Sequence, residues 1–295
     1  MLFPEFIYAQ LFTTPAVPTA SLSGQTVIIT GANRGLGFET AKHIARLGVS
    51  KLIFGVRSIT AGEDAKMAIL KANPSKSLEI EVWPIDMTSY ASVKTFAQRA
   101  GTLPRIDALV NNVGIATWIY KTAEDNELTI TVNVINTFLL SLLMLPKLRE
   151  SAQKFNITPR ISIVGSEGMN FIQFKERKAK PGEILETLND KAKANMKDRY
   201  FLSKLLVMFC VRELAAQMDK STNNGGKSRQ VILNCPAPGY VATDLVHEQK
   251  DSIAFKIMEK VLARDVEVGS RCIVDGVIEG QESHGQYLSE CKVKP

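Results

Sequence analysis

The sequence contains few of the residues that build metal centres or disulfide frameworks. It has four cysteines and three histidines among 295 residues, and no two cysteines form a CxxC pair. Cys210 and Cys272 lie in apolar stretches, where a small buried thiol is the usual interpretation. We therefore predict that the protein holds no metal ion and that its thiols stay reduced, as in the cytoplasm.

The sequence also lacks an uncharged apolar run long enough to span a membrane. Its first twenty residues are apolar, but no basic residue precedes them, Glu5 interrupts the run, and three prolines break a continuous helix. We predict that residues 1–22 form an arm on the protein surface, without stable membrane insertion. Association with a membrane surface is the less favoured alternative.

Charge of one sign is only slightly in excess. The net charge is +6 and the isoelectric point is about 9.0, but the lysines and arginines are scattered and no basic run carries interleaved aromatic residues. This pattern argues against nucleic acid as a partner and is compatible with an anionic cofactor.

From Thr26 onward, short β-branched apolar runs alternate with amphipathic helical stretches. Continuous apolar runs are typical of strands that are buried on both faces. Their alternation with helices predicts an α/β fold with a doubly wound parallel sheet of the Rossmann type, in a single domain over residues 23–295. The predicted strands are 26–30, 51–56, 78–86, 107–112, 160–165 and 230–235, with 285–289 a candidate seventh. A long helix is predicted over 124–149.

A glycine-rich loop, TGANRGLG at 30–37, joins the first predicted strand to the first helix. Glycine lets the backbone approach a pyrophosphate closely, and the following helix N-terminus offers free N–H groups and a positive dipole. The spacing is G-x-x-x-G-x-G, and its position between strand and helix strengthens the signal. We predict that a dinucleotide binds here, with contacts from Gly31, Asn33, Arg34, Gly35, Leu36 and Gly37.

The second predicted strand is followed by Arg57, where an acidic residue would bind the ribose 2′-hydroxyl of NAD. Arg34 in the glycine loop can reach the same region. Two guanidinium groups suit a 2′-phosphate, so we predict NADP(H) as the cofactor; surface arginines are the alternative interpretation. Further along, Asp86 and Met87 are predicted to lie at the adenine. Asn112, Val113 and Gly114 are predicted to form a tight turn beside the cofactor.

These motifs, taken together and in this order, resemble the classical short-chain dehydrogenase/reductase family. The further matches are VN at 132–133, VGS at 164–166, YFLSK at 200–204 and APGYVAT at 237–243. The resemblance covers roughly 24–290. Within the family the chain looks like the retinol-dehydrogenase-like reductases and, more loosely, like reductases of fungal secondary-metabolite pathways.

The resemblance implies a catalytic tetrad. Tyr200 would donate a proton to the substrate carbonyl, and Lys204, one helical turn on, would lower the pKa of that phenol and bind the nicotinamide ribose. Ser166 would hold the substrate oxygen, and Asn133 would hold a water that links Lys204 to solvent. The cofactor's nicotinamide half would lie along Pro238, Gly239, Val241 and Thr243.

Each member of the tetrad also has a structural interpretation. Ser166 could cap a loop, Asn133 could be a helix-interior residue satisfied by its neighbours, and Tyr200 could pack as an amphipathic ring. The sequence also departs from the family pattern in three places: Val113 replaces the usual alanine, Gly165 replaces the first of two serines, and 34 positions separate Ser166 from Tyr200.

The extra residues between Ser166 and Tyr200 are predicted to form a lid or wall of the substrate pocket. A mostly solvated helix is expected there, with its apolar residues facing inward: Phe171, Phe174, Ile184, Leu185 and Leu188. Trp118 and His247 are further candidates for the substrate lining. This lining fits a medium-sized apolar ketone, aldehyde or alcohol.

The predicted activity is reduction of that carbonyl by NADPH, reversible in principle. An alternative from another class is a dinucleotide-binding scaffold that acts as a non-redox cyclase or a cofactor-sensing regulator, neither of which needs Tyr200 and Lys204. The sequence leaves a homo-oligomer open.

Overall fold

The computed structural model describes residues 3–74, 77–222, 231–243, 245 and 259–294; of residue 222 it describes only the backbone. A mostly parallel sheet of eight strands runs through the molecule in the order β3-β2-β1-β4-β7-β8-β9-β10, with only β10 antiparallel to its neighbour. The strands are β1 Thr26–Thr30, β2 Lys51–Val56, β3 Glu79–Pro84, β4 Ala108–Asn111, β7 Arg160–Ile163, β8 Ile232–Ala237, β9 Tyr287–Ser289 and β10 Lys292–Lys294. Strands β5 Thr122–Ala123 and β6 Asn126–Glu127 form a separate small hairpin.

Helices cover both faces of the sheet. On one face, α2, α3 and α9 bury their apolar sides, and on the other face α4, α6 and α8 do so. The helices are α1 Phe3–Phe12, α2 Gly35–Arg46, α3 Ile59–Ala72, α4 Tyr90–Gly101, α5 Leu128–Ile130, α6 Thr137–Phe155, α7 Ile184–Asn189, α8 Arg199–Thr222 and α9 Val266–Ile278, with a π-helical turn, Thr131–Asn136, between α5 and α6.

The continuous apolar strands follow from this layering. All five residues of β1 are buried. Ile28 packs in the core beneath α4, α6 and α8, whereas Val27 and Ile29 pack beneath α2, α3 and α9. Because successive side chains of a strand point to opposite faces, a sheet covered on both faces needs apolar residues at every position. The predicted Rossmann-type fold is therefore confirmed.

The long helix predicted from residue 124 begins later than expected. The β5–β6 hairpin occupies the preceding residues, and the helix starts at Leu128 because the Glu127 carboxylate caps it by accepting bonds from the Thr129 and Ile130 N–H groups (2.9 and 3.1 Å). Among the described residues, only the stretch Leu128–Phe155 is long and apolar enough to cross a membrane, and most of it is buried inside the protein. It is a core helix, since its apolar residues pack under the sheet.

The single solvated helix predicted after Ser166 is wrong. The segment forms two 3₁₀ turns, Glu167–Phe171 and Lys175–Lys178, followed by the short helix α7. Gly182, which follows a proline, has a φ of +89° and interrupts any longer helix before α7. Of the five apolar residues expected to face inward, Leu188 is buried and Phe174 is half-buried, whereas Phe171, Ile184 and Leu185 are exposed.

The N-terminal arm consists of α1 and an extended segment that follows it. The helix ends at Phe12, ahead of Pro15, and the extended part is fixed by side chains of the main body. Arg271 donates to the Pro15 carbonyl and Arg46 donates to the Pro18 carbonyl, each at 2.8 Å. The arm is thereby tied to α2 and α9 along the surface.

Candidate active site

The carboxyl ends of four adjacent strands bring the predicted motifs together. Strand β1 leads into the glycine loop, β4 into the turn at Asn112, β7 into Ser166 and β8 into Pro238. Since the four strands lie side by side and run parallel, the residues that follow them meet at one edge of the sheet. This edge is where open α/β sheets bind their ligands.

The glycine loop leaves room for an anionic group close to its backbone. Gly31 has a φ of +71°, which favours glycine. A Cβ at Gly37 would meet the Gly31 carbonyl and would lie 2.6 Å from Asn112 Nδ2, so a side chain at Gly37 would fill the turn. Asn112 in turn donates to the Thr30 carbonyl at 2.9 Å, which joins the loop to the turn after β4.

The start of α2 is open to a ligand as well. Arg34 occupies its N-cap position with an extended backbone, and within the described part of the chain its side chain makes no capping bond. The first N–H groups of α2, which lack partners inside the helix, therefore face the same edge. The loop thus fits the diphosphate of a dinucleotide. Arg34 and Arg57 are both exposed at this edge.

At the predicted adenine position, Asp86 has local partners. Its Oδ1 accepts from the backbone N–H and the hydroxyl of Thr88 at 2.9 and 2.8 Å. The neighbouring Met87 is buried, and its carbonyl accepts a 2.8 Å bond from Asn136 Nδ2 in the π-helical turn. The loop after β3 is therefore hydrogen-bonded to the π-helical turn that carries Asn133.

Tyr200, Lys204 and Ser166 lie together. The Ser166 side chain lies beside the Tyr200 phenol, close enough to act on its pKa, and the ammonium group of Lys204 lies 5.8 Å from the centre of the Tyr200 ring. Lys204 Nζ donates to the Val164 carbonyl at 2.7 Å and is buried. Because both side chains leave α8 one turn apart, they share one face of that helix, as the spacing predicted.

Burial controls the ionisation of this pair. It lowers the pKa of Lys204 to about 8. It also raises the pKa of Tyr200 to about 12; the hydrogen bond with Ser166 acts in the opposite direction, and the nearby Glu167 adds to the rise. The expected lowering of the Tyr200 pKa by Lys204 is not seen here, since burial and Glu167 raise that pKa and only Ser166 lowers it. A phenol with so high a pKa keeps its proton at neutral pH, which suits a proton donor.

Asn133 is fully engaged with its neighbours. It lies in the π-helical turn, where Oδ1 accepts from the Ile115 N–H and Nδ2 donates to the Ile115 carbonyl and to the Ser203 hydroxyl, each at 2.9 Å. A Cβ built on Gly114 would lie 3.5 Å from both Asn133 Oδ1 and Lys204 Nζ. The structure therefore brings Asn133 to Lys204, and the water-holding role stays a prediction.

The Ser166 oxygen, beside the Tyr200 phenol, accepts from the Gly168 N–H at 3.3 Å and so caps the 3₁₀ turn that follows. The capping interpretation and the catalytic one are thus compatible. Thr243, at the far end of the segment after β8, accepts from the Leu245 N–H at 3.4 Å.

The predicted substrate residues are scattered more widely than the tetrad. Phe171 packs edge-on against Phe3 and Phe6 of α1, with ring centres 5.6 and 5.7 Å apart. Phe174 packs against Phe209, farther along α8 than the tetrad, at 6.3 Å. These two rings have structural partners, so the contacts do not support the expected role in a lid. Trp118 is exposed, and His247 lies outside the described residues.

Sequence reasoning missed Glu167. Its side chain is 3% exposed, and Oε1 accepts from the Ser289 hydroxyl at 3.3 Å. Burial, as the largest cause, raises the pKa of this carboxyl to about 7. The available signal was its position directly after Ser166, but nothing in the local sequence shows that a charged residue there is covered by β9.

This burial predicts a pH-dependent stability. The folded-state pKa of Glu167 lies above its ordinary value of 4.5. The stabilisation of the fold by the protonated carboxyl is therefore fully present below pH 4.5 and is lost as the pH rises towards 7. At ~1.4 kcal/mol per pKa unit, the loss is on the order of 3 kcal/mol.

Urea unfolding at two pH values tests this prediction for Glu167. Between pH 4.5 and pH 8, we expect the free energy of unfolding to fall less in Glu167→Gln than in the native protein. Asp275, whose pKa is also raised to about 7 by burial, acts in the same direction and provides the comparison variant, Asp275→Asn. Equal pH dependence in native protein and Glu167→Gln would contradict the assignment.

The sequence comparisons identify the family. A family model described as short chain dehydrogenase matches residues 25–174. The chain is 43% identical over 291 residues to the short chain dehydrogenase/reductase dmxR8 of Cryptosporiopsis sp. (strain 8999), which covers 98% of this chain and 88% of the relative. It is 42% identical over 288 residues to the short-chain dehydrogenase anuD of Penicillium roqueforti, covering 97% and 74% of the two chains. The chain therefore belongs to the short-chain dehydrogenase/reductase family, and it resembles the fungal reductases, as the sequence predicted.

Solved structures agree on the fold. A gluconate 5-dehydrogenase from Beutenbergia cavernae, described as putative NAD(P) dependent and solved with bound NADP at low occupancy, has a TM-score of 0.64 and 22% identity. The alignment covers 92% of this chain and 96% of that one. A protein from Mycobacterium paratuberculosis gives a TM-score of 0.68 at 24% identity, over 94% and 84% of the chains. The family assignment makes the chain an oxidoreductase that binds NAD(P) and acts on small molecules.

Proposed function

We propose that this protein is an NADP(H)-dependent reductase that converts a ketone or aldehyde of medium size and low polarity into the alcohol. One observation carries the proposal: the Tyr200 phenol lies beside Ser166 and the buried ammonium of Lys204, at the sheet edge that also carries the glycine loop. The catalytic unit would be residues 23–295, with 1–22 as an arm, and the protein would act in the cytoplasm. The fungal relatives support a role in secondary metabolism.

The cofactor and the residues of the tetrad would have separate roles in the reduction of the carbonyl. NADPH, held along the glycine loop and the segment after β8, would supply the hydride for the carbonyl carbon. The Ser166 hydroxyl would hold the carbonyl oxygen, and Tyr200 would pass its proton to that oxygen as negative charge develops. Lys204 would stabilise the phenolate that forms on Tyr200, because a positive charge close to an anion favours the ionised state.

Preference for NADP(H) over NAD(H) rests on Arg34 and Arg57. We expect Arg57→Asp to weaken NADPH binding by roughly 10- to 100-fold, since each charge-assisted bond contributes ~1.5–3 kcal/mol, and to leave NADH binding nearly unchanged. Dissociation constants for both cofactors, measured by calorimetry, check this. Lys71→Asp, which makes the same charge change on the exposed end of α3, is the control. Equal affinity of the native protein for NADH and NADPH would refute the preference.

The reaction is tested with a panel of apolar ketones, aldehydes and alcohols. NADPH oxidation or NADP⁺ reduction is followed by absorbance while product is quantified by mass spectrometry. The proposal expects one cofactor consumed per product formed. Product without a matching change in the cofactor would reject the redox assignment in favour of the cyclase. Binding of the cofactor with no turnover of any panel member would favour the cofactor-sensing regulator.

A further inference from the structure

The N-terminal arm makes a specific contact with the segment after β8. Gln10 of α1 is 7% exposed. Its Nε2 donates to the Tyr240 carbonyl at 2.6 Å, and its Oε1 accepts from the Tyr240 N–H at 3.1 Å. A carboxamide is the side-chain group that can satisfy a backbone donor and a backbone acceptor of one residue at once. The arm thus holds Tyr240 from a position 230 residues away in the sequence.

Tyr240 lies in the segment that would carry the nicotinamide half of the cofactor. It follows Gly239, whose φ is +84°. A Cβ at Gly239 would lie 3.0 Å from Gln10 Oε1 and 2.9 Å from Arg264 Nη1. The backbone at Gly239 therefore passes against the arm with no room for a side chain. Its conformation depends on the contacts with Gln10 and Arg264.

Arg264 ties the arm to the same segment from a second direction. Its Nη2 donates to the carbonyls of Ala9 (2.7 Å) and Thr13 (3.0 Å), at the end of α1, and to the Glu290 carboxylate (2.8 Å). Its backbone N–H donates to the Tyr240 carbonyl at 2.9 Å. Through its buried guanidinium and its backbone, Arg264 thus joins three separate parts of the chain: the arm, the segment after β8 and the turn after β9.

We infer that Gln10 is a positioning residue for cofactor binding, and that the arm is a working part of the active site. The inference rests on the proposed function. The region matched by the family model begins at residue 25, so the arm is an addition to the matched part of the fold. Gln10 acts through Tyr240: it fixes the backbone of the segment Pro238–Thr243 in the conformation that receives the cofactor, and a free segment would have to be ordered at each binding event.

The test compares Gln10→Leu, which keeps the approximate volume and removes both bonds, with Leu11→Ala as a control. Leu11 is the next residue of α1 and is 45% exposed. NADP⁺ binding is measured by calorimetry on the full-length protein. We expect Gln10→Leu to raise the dissociation constant roughly tenfold, as for two lost hydrogen bonds, and Leu11→Ala to leave it unchanged. Backbone hydrogen exchange should quicken at Tyr240 in Gln10→Leu only.

Steady-state kinetics separate positioning from general destabilisation. With Gln10→Leu, the KM for NADPH should rise while kcat at saturating NADPH stays near the native value, because enough cofactor restores the ordered segment. A native dissociation constant in Gln10→Leu despite faster exchange at Tyr240 would overturn the inference. A native protein that binds neither NADP⁺ nor NAD⁺ would instead reject the proposed function.

Gln10→Asn provides a second variant in case Gln10→Leu does not fold. Its shorter side chain keeps the amide but cannot reach both backbone groups in their present positions, so an intermediate rise in the dissociation constant is expected. A folded Gln10→Asn protein with native NADP⁺ affinity would also overturn the inference.

Discussion

Tyr200→Phe should lower kcat by roughly 10²- to 10⁴-fold, the usual loss when a general acid is removed. The substitution keeps the ring and removes only the hydroxyl, which lies beside Ser166. The packing of Tyr200 against Phe201, with ring centres 5.4 Å apart, is preserved. Fold and NADPH affinity should therefore survive, which circular dichroism and calorimetry can check.

Tyr120→Phe is the matched control for this experiment. The Tyr120 hydroxyl donates to the Asn189 carbonyl at 2.6 Å, a contact that involves no residue of the tetrad. Its loss should cost stability by about 1 kcal/mol and leave turnover close to native. Native turnover in Tyr200→Phe would exclude the tyrosine as the proton donor and would agree with the non-redox alternative.

Lys204→Met should reduce both turnover and cofactor affinity, because it removes the charge that stabilises the phenolate and a donor predicted to bind the nicotinamide ribose. It should also change the pH profile. Burial lowers the pKa of Lys204 to about 8, so the positive charge is present below that pH and is lost as the pH rises through it. The kcat/KM for reduction in the native enzyme should consequently fall above about pH 8, and this fall should be absent in Lys204→Met.

Glu167 titrates near pH 7, so the profile should also be recorded in Glu167→Gln. An alkaline fall that persists in Glu167→Gln and disappears in Lys204→Met assigns the fall to the lysine. Lys147→Met, on α6 and paired with Glu150 at 2.8 Å, controls for loss of a lysine elsewhere. An unchanged alkaline fall in Lys204→Met would show that another group controls it.

The sequence by itself determined the sheet and its cofactor edge. Strand β1 could be predicted because burial on both faces demands an uninterrupted apolar run, and the glycine loop because a close approach of backbone to phosphate excludes side chains. The helical spacing of Tyr200 and Lys204 is likewise local: a four-residue step on a helix places both side chains on one face. Each of these features depends on residues that are near neighbours along the chain.

Only the tertiary structure decided the surroundings of the site. Glu167 is buried by contact with Ser289, 122 positions away, and Gln10 meets Tyr240 across 230 positions. The stretch after Ser166 folds into short turns, with Phe171 against the arm. Periodicity reports which residues are apolar, but it carries no information on which distant segment covers them. The pKa of Tyr200 also depends on the tertiary structure, because burial in the assembled fold is the largest cause of its rise.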